Sequence, residues 1–577
     1  MSAPSFTSYW AVCFDGSCSP SECKMAVDIT CSRRQPAAPH PESPQAAPSS
    51  QAAAPADVPA EVSAHRWWIM LGLIMASALE ILDTTVVNVA LPQMSGNLGA
   101  TTDEIAWVST GYILANVIVL PMTAWLSGRF GRKRYLMASI LIFNIARFMC
   151  GLSGSLGEIV FWRLIQGAGG AALISTAQST IVEIFPRSQI ATVQSIFGLG
   201  LIVTPTLGPL LGGYITDNYS WRTIFFIHVP LAVASLTLVG LFLQDSLHQK
   251  RVNTVDVWGI ILLAAGMGSL QYVLEEGERY DWFDDPTIAR LAAVAVVALV
   301  GFVWWELSPR NKAPILDLRV LKDRGLSASV LLGLVLGFGL YGGVFIYPLF
   351  VQTILGFTPT ETGMALLPGG IMTAIAVIFC GRVLQRGFDA RILILCGMFI
   401  YMGSMWMLGH LTTQSGLSDT QTGLMVRGFG LGLVFIPIST VAFAGLKGAQ
   451  IAQGSALYNL MRQLGGSFGI AVLNTYIVNM TAFHRADIVS SLHPGDAAFQ
   501  ARLNGAAGAL VANGGYSLAS AQAAALHLLD RTVQAQAMTM AYNNAFILLG
   551  LTFLLALPAV LLLRRPKRGA PAPAEAH

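Results

Sequence analysis

Runs of about twenty apolar residues, separated by short polar segments, recur from Trp67 almost to the C-terminus. At a rise of about 1.5 Å per residue, twenty helical residues cross the hydrocarbon core of a bilayer, so each run predicts a spanning helix. The pattern predicts fourteen, over 67–91, 105–126, 135–154, 158–180, 190–212, 223–243, 257–275, 290–307, 326–347, 361–380, 391–410, 422–443, 452–476 and 542–563. Charge in the connecting segments alternates with them. Arg129, Arg132, Lys133 and Arg134, then Arg187, Lys250, Arg251, Arg310, Lys312, Arg319, Lys322, Arg324, Arg382, Arg386, Lys447 and the terminal RRPKR at 564–568 fall on one side. Asp103, Glu104, Asp217, the acidic turn EEGERYDWFDD at 275–285 and Asp419 fall on the other. Basic loops stay in the cytoplasm, so the expected topology is an even number of spans with both termini inside.

Three segments depart from this rhythm. Residues 1–64 are rich in Pro, Ala, Ser and Gln without an apolar period, which predicts a disordered extension; residues 569–577 read as a disordered tail. The connection at 477–541 is far longer than an ordinary loop. Its Ala-, Leu- and Gln-rich stretches flank Asn513, Gly514 and Gly515, predicting a small outward helical hairpin, with a mobile loop as the other reading.

Composition narrows the class. Hydrophobic residues make up 54% and charged residues 11%, against about 25% charged in soluble domains. Mean hydropathy is +0.60. The chain therefore reads as an all-α polytopic membrane protein; a membrane β-barrel would show short alternating segments instead. Cys13, Cys18, Cys23 and Cys31 contain no close CxxC pair and no neighbouring histidine, so no metal site is predicted. Cys150, Cys380 and Cys396 sit in apolar surroundings and read as small core residues. There is no phosphate loop and no convincing nucleophile–base arrangement, so neither enzyme chemistry nor nucleic-acid binding is expected.

The chemistry lies in the few polar residues placed where lipid would reject them. Glu80 and Asp83 stand three apart on one side of the first span, and must face a cavity, a water path or a cation. Arg163 in the fourth span is the expected partner, with Gln166 one turn away. Arg147, nearer a span end, is expected to snorkel, with direct carboxylate or ligand contact as the alternative. Arg427 and the group Asn459, Arg462 and Gln463 either line a pathway or join helices by hydrogen bonds, and Tyr112 and Asn116 are further candidates for a polar and aromatic cavity. In the fifth span Pro205 and Pro209 remove backbone donors beside Gly208 and Gly212, giving a helix that bends or packs closely. The turn GRFGRKR, with Arg129, Gly131, Arg132 and Lys133, either fixes topology or acts as a latch between moving bundles.

These motifs, in this order, resemble the major facilitator superfamily, and within it the fourteen-span drug:proton antiporter branch of EmrB/QacA type, over about residues 65–565. ILDTTVVNVALP resembles the first-span signature, WRLIQGAGGA the fourth-span signature and LIVTPTLGPLLGG the fifth-span antiporter signature. The basic turn departs from the family pattern, with Ala124 at its first glycine position and Gly128 at its aspartate position; His228 stands where asparagine is common. The resemblance implies a major facilitator fold with 14 transmembrane helices: six-helix bundles over 65–247 and 311–568, the latter including loop 477–541, and an inserted helix pair over 248–310. It implies proton-driven efflux of hydrophobic or amphipathic compounds by alternating access from a bacterial inner membrane, with protons as the coupling ion and no other cofactor. Asp83, Glu80 and Arg163 would carry the proton coupling. A periplasmic adaptor and an outer-membrane channel are implied partners, beside membrane lipids. Export of one endogenous metabolite, lipid-like compound or siderophore is the alternative, and a non-transporting sensor or scaffold a more distant one.

Overall fold

The computed structural model describes residues 60–563, apart from 187–188, 246–253, 312, 494 and 515–516. Residues 1–59 of the expected N-terminal extension, and the tail at 569–577, lie outside the described residues. The first half of the chain forms α1 (Ala60–Leu98), α2 (Thr102–Val119), α3 (Thr123–Phe130), α4 (Arg132–Leu152), α5 (Leu156–Ile184), α6 (Ile190–Asn218), α7 (Arg222–Phe226) and α8 (Val229–Phe242). A hairpin follows, α9 (Val257–Glu276) and α10 (Pro286–Leu307). The second half comprises α11 (Arg324–Thr353), α12 (Pro359–Gln385), α13 (Ala390–Leu408), α14 (Leu417–Ala444), α15 (Ala449–Ser491), α16 (Ala497–Gly514), α17 (Leu518–Leu555) and α18 (Leu557–Leu562). Among the described residues, 12 helical segments are long and apolar enough to cross a membrane. Beside them run α6, of 29 residues, and α15, of 43.

Helix boundaries follow capping and proline chemistry. Thr101 and Thr358 close capping boxes with Glu104 and Glu361, and the side chains of Asp256, Asp285, Asp323 and Asp389 accept backbone N–H groups at the starts of α9, α10, α11 and α13. The Asp285 carboxylate, outside the spanning segment, is held below its ordinary pKa chiefly by the Thr287 N–H. Pro121, without an amide hydrogen, interrupts the second predicted span: residues 120–122 tighten into a 3₁₀ turn between α2 and α3. Pro230 likewise sits in the first turn of α8, just after a break at 227–228, so the sixth predicted span is α7 plus α8.

The long connection is helical. α15 and α17 continue beyond the predicted span ends, and α16 packs on α17 through Ala507, Ala521 and Ala525, flanked by Leu503 and Leu510. Arg485 of α15 pairs with Asp530 of α17 at 2.8 Å. Cys150 and Cys380 are buried as expected, whereas Cys396 lies on the outer face of α13, where its small apolar side chain needs no core.

α1 packs on α5, α6 and α8, and α4 on α5, α7 and α8; α11 packs on α14, α15 and α17, and α12 and α13 on α14. α6 against α12, and α5 against α15, join the two halves. We call the end of the bundle bearing the α3–α4 turn the basic end, and that bearing the α9–α10 turn the acidic end. Among the described residues, the hydrogen bonds between the halves lie toward the basic end: Ser455 donates to the Ser175 carbonyl at 2.9 Å, and Asn459 to Gln178 Oε1 at 2.8 Å.

Tight crossings depend on missing side chains. At the α11–α15 crossing, a Cβ on Gly337 would overlap the Arg462 carbonyl, and one on Gly465 the Leu334 carbonyl, so the glycines seat each backbone on the other. Gly465→Ala is therefore expected to lower stability by about 1–3 kcal/mol, because the obstructing atom is backbone and cannot turn away. Thermal unfolding of the purified variant in detergent checks this; an unchanged midpoint contradicts it.

Candidate functional site

The site is assembled around Asp83 on α1. Its carboxylate has no lipid-facing edge: Asp83, Arg147 and Arg163 are all 0% exposed. Arg147 Nη1 donates to Asp83 Oδ1, and Arg163 Nη1 donates to Oδ2 at 2.5 Å. Three helices, α1, α4 and α5, thus converge on one carboxylate through both of its oxygens.

The expected snorkelling of Arg147 is corrected by this geometry, because every donor of its guanidinium turns inward. Nε donates to the Phe225 carbonyl at 3.2 Å, and Nη2 to the Ile224 carbonyl at 3.1 Å and to His228 Nδ1 at 2.8 Å. These acceptors lie at the α7–α8 break, where the helical ladder is interrupted and carbonyls become available. With Nδ1 accepting, the His228 proton sits on Nε2, which is buried without a protein partner. Arg163 is held at Nε and Nη1, while its buried Nη2 has no hydrogen-bond partner among the described residues. Its Nε donates to the Val108 carbonyl at 2.7 Å, its Nη1 also to Gln166 Oε1 at 3.0 Å, and its Cζ lies 4.6 Å from the centre of the Tyr112 ring.

Among the described residues, Glu80, one turn from Asp83, makes no ion pair of its own. Its Oε1 accepts from Asn116 Nδ2 at 3.2 Å and its Oε2 from the Ile174 N–H at 3.3 Å, and Arg462 of the second half is among the charges acting on it. Arg462 donates to Asn459 Oδ1 at 3.2 Å, and Asn459 reaches α5 through Gln178.

The sequence candidates therefore sort into groups. Glu80, Asp83, Tyr112, Asn116, Arg163 and Gln166 form one buried cluster. Asn459 and Arg462 stand at the junction of the halves, with half-buried Gln463 on the same helix. Arg427 lies apart, buried on α14. Pro205, Gly208, Pro209 and Gly212 lie within a single helix, α6; a Cβ on Gly208 would overlap Thr85 Oγ1, and one on Gly212 would stand 3.0 Å from the Val86 carbonyl, so α6 packs closely on α1. At the basic turn, Gly131 adopts φ +92°. Arg132 pairs with Glu183 of α5, the Lys133 N–H donates to Asp245 at 2.9 Å, and Arg129 is exposed. The carboxylates absent from the turn at Gly128 thus come from the ends of two other helices. For Arg147 the alternative of direct carboxylate contact holds, signalled by an intramembrane arginine on a helix with no acid of its own, whereas sequence reasoning missed His228, Gln178 and Asp245 as partners.

Two joined groups of membrane-crossing helices, one of them closed internally on an arginine-clasped carboxylate, form the architecture of a carrier protein. The family model described as Major Facilitator Superfamily matches residues 73–470. The Multidrug export protein EmrB of Escherichia coli (strain K12) is 34% identical over 427 residues, covering 74% of this chain and 82% of that protein. The Fatty acid resistance protein FarB of Neisseria gonorrhoeae is 30% identical over 511 residues, covering 88% of this chain and 98% of its own. Among solved structures, the human organic anion transporter MFSD10 aligns with a TM-score of 0.51 at 13% identity, over 86% of this chain and 100% of that one, a likeness of fold. The chain belongs to the major facilitator superfamily, in its EmrB/QacA-like branch. It is a multi-pass membrane protein and a secondary active transporter, not an enzyme.

Removing the carboxylate strands two guanidiniums in the interior, and breaking a buried pair typically costs about 3–5 kcal/mol. Asp83→Leu should thus destabilise strongly, and Asp83→Leu combined with Arg147→Leu by clearly less than the sum of the single changes. A double-mutant cycle of unfolding midpoints measures the coupling; strict additivity rules out the pairing.

Proposed function

We propose that this chain exports hydrophobic and amphipathic compounds in exchange for protons by alternating access. The observation that carries the reading is the double clasp on Asp83, within a chain related to proteins named for multidrug export. Protonating Asp83 cancels the charge that holds both arginines and weakens the links from α1 to α4 and α5. The arginines keep other acceptors: Phe225, Ile224 and His228 for Arg147, Val108 and Gln166 for Arg163. Gln166 of α5 also acts on the Asp83 carboxylate, so the groups that hold it lie on α4 and α5 and α1 is the element set free. Glu80, in the field of Arg462, couples this event to the contact between the halves. The two equilibria, proton binding and the choice of open face, are thereby linked without a covalent step.

In the topology we favour, α6 and α15 join the twelve apolar segments to give fourteen spans. Bundles at 65–247 and 311–568 flank the inserted pair at 248–310. The basic end faces the cytoplasm, with both termini there, in a bacterial inner membrane. Closure of the basic end by the Ser455–Ser175 and Asn459–Gln178 bonds is then the outward-facing half of the cycle. Asn116, Tyr112, Gln166, Arg427, Asn459, Arg462 and Gln463 border the route of the substrate, and the α3–α4 turn and α6 move as the halves rock. The helical extension built from α15, α16 and α17 offers a surface for a periplasmic adaptor leading to an outer-membrane channel.

In proteoliposomes, efflux of an amphipathic dye should follow an imposed pH gradient, and Asp83→Asn should reduce it to the rate of protein-free vesicles; unchanged flux in that variant removes Asp83 as the proton carrier. Photo-crosslinkers placed along α16 should capture a periplasmic protein in whole cells; capture of lipid alone contradicts the adaptor surface.

A further inference from the structure

The buried charges of the two halves are unequal. In the first half, Arg147 and Arg163 face Asp83, with Glu80 close by. In the second half, Arg427 and Arg462 lie deep in α14 and α15, while the acids of α12, α14, α15 and α17 stand toward helix ends or in the extensions: Glu361 and Asp419 in first turns, Asp487 and Asp530 in the extensions. Arg462 has Asn459 as its hydrogen-bond acceptor and Glu80 within its field. Arg427 has neither.

Among the described residues, no carboxylate pairs with Arg427, although its side chain is 6% exposed and its Nε is buried without a hydrogen bond. The ionisable groups facing it are phenols, Tyr347 and Tyr401, and both hydroxyls are engaged elsewhere: Tyr347 donates to Thr420 Oγ1 at 3.0 Å, and Tyr401 to the Gly339 carbonyl at 2.8 Å. The guanidinium lies against the backbone of α11, where a Cβ on Gly343 would stand 3.0 Å from Cζ and Nη2. It borders a partly open cavity of about 50 Å³ between the halves, lined by Pro205 of α6, Thr373 of α12 and the apolar side chains of Leu340, Leu366 and Leu424. An isolated cation in such surroundings is costly and calls for an anion. A guanidinium suits a planar or trigonal oxyanion through two parallel hydrogen bonds. The other walls of the cavity are largely apolar and suit an apolar tail.

We propose that Arg427 is the residue that determines recognition of anionic over neutral amphipathic substrates, by pairing with a carboxylate or sulfonate headgroup. This rests on the export reading above and deepens it. The cradle (α11, α12 and α14) and the proton site (α1, α4 and α5) lie on different halves. Coupling therefore runs through the rocking of the halves rather than through charge competition at one spot. An electrical consequence follows. Whatever the number of protons per cycle, outward movement of a monoanion carries one more positive equivalent inward than outward movement of a neutral compound. An inside-negative potential of 100 mV thus adds about 50-fold to the anion's limiting gradient relative to a neutral analogue.

The test uses the full chain and two matched probes, decanesulfonate and uncharged decanesulfonamide. In detergent, the wild type should prefer the sulfonate. Arg427→Gln should weaken sulfonate binding about tenfold more than sulfonamide binding, while Arg427→Lys retains part of the preference. Gly343→Ala, which keeps the charge but displaces the guanidinium, should lower the preference in the same sense and serves if Arg427→Gln does not fold. Equal binding of the two probes by the wild type, or variant effects equal for both, overturns the proposal. In proteoliposomes, decanesulfonate export should be driven by an inside-negative potential as well as by a pH gradient. Retained sulfonate preference without flux of any probe counts against the export reading and leaves the recognition role standing; flux of neutral probes without sulfonate preference does the reverse.

Discussion

A carboxylate held through both oxygens by two guanidiniums, with no contact with lipid, is the interaction on which the first half of this protein depends. An ionised aspartate in the interior is tolerable only if its charge is met and its lone pairs are filled, and here two helices donate to one residue on a third. The arrangement also fixes backbone. The carbonyls of Ile224 and Phe225 become acceptors because the chain breaks before Pro230, and Val108 lends its carbonyl to Arg163. Local irregularities of α7 and α8 are thus part of how the ion cluster is satisfied.

The two halves treat charge differently, and this asymmetry organises the centre of the molecule. The first half closes on its own acid. The second offers arginines, one turned to the junction through Asn459 and one resting on the bare backbone at Gly343. Among the described residues, the hydrogen bonds between the halves use small polar groups near one end, Ser175 with Ser455 and Gln178 with Asn459, which are cheap to part because each can be hydrated. Strong pairs lie within a half and weak ones between halves, as rigid bodies that must separate repeatedly require.

Much of this was readable in the amino acids. Apolar runs located the helices, and Asp83 with Arg163 was predictable because a charged residue in a span needs an opposite one. The features that were hidden share a cause: they are settled by which helix lies beside which. Arg147 looked like a terminal snorkelling residue because sequence position does not reveal that α7 breaks next to it. His228 looked like a simple departure from an asparagine, although its ring nitrogen accepts from Arg147. Pro121 and Pro230 divide spans that hydropathy joins, since hydropathy does not register a missing amide hydrogen. The long outward connection was legible as helical from composition, but not the continuation of α15 to Ser491, because its polar side chains hide the periodicity.

The basic turn has one more implication. It lacks an aspartate of its own, and the Lys133 amide is held instead by Asp245, just past the end of α8 on the way to the α9–α10 hairpin. The connector to the extra helices is therefore stitched to the turn between α3 and α4. Anyone excising that hairpin from this carrier would have to cut downstream of Asp245, or lose a strut of the first half together with it.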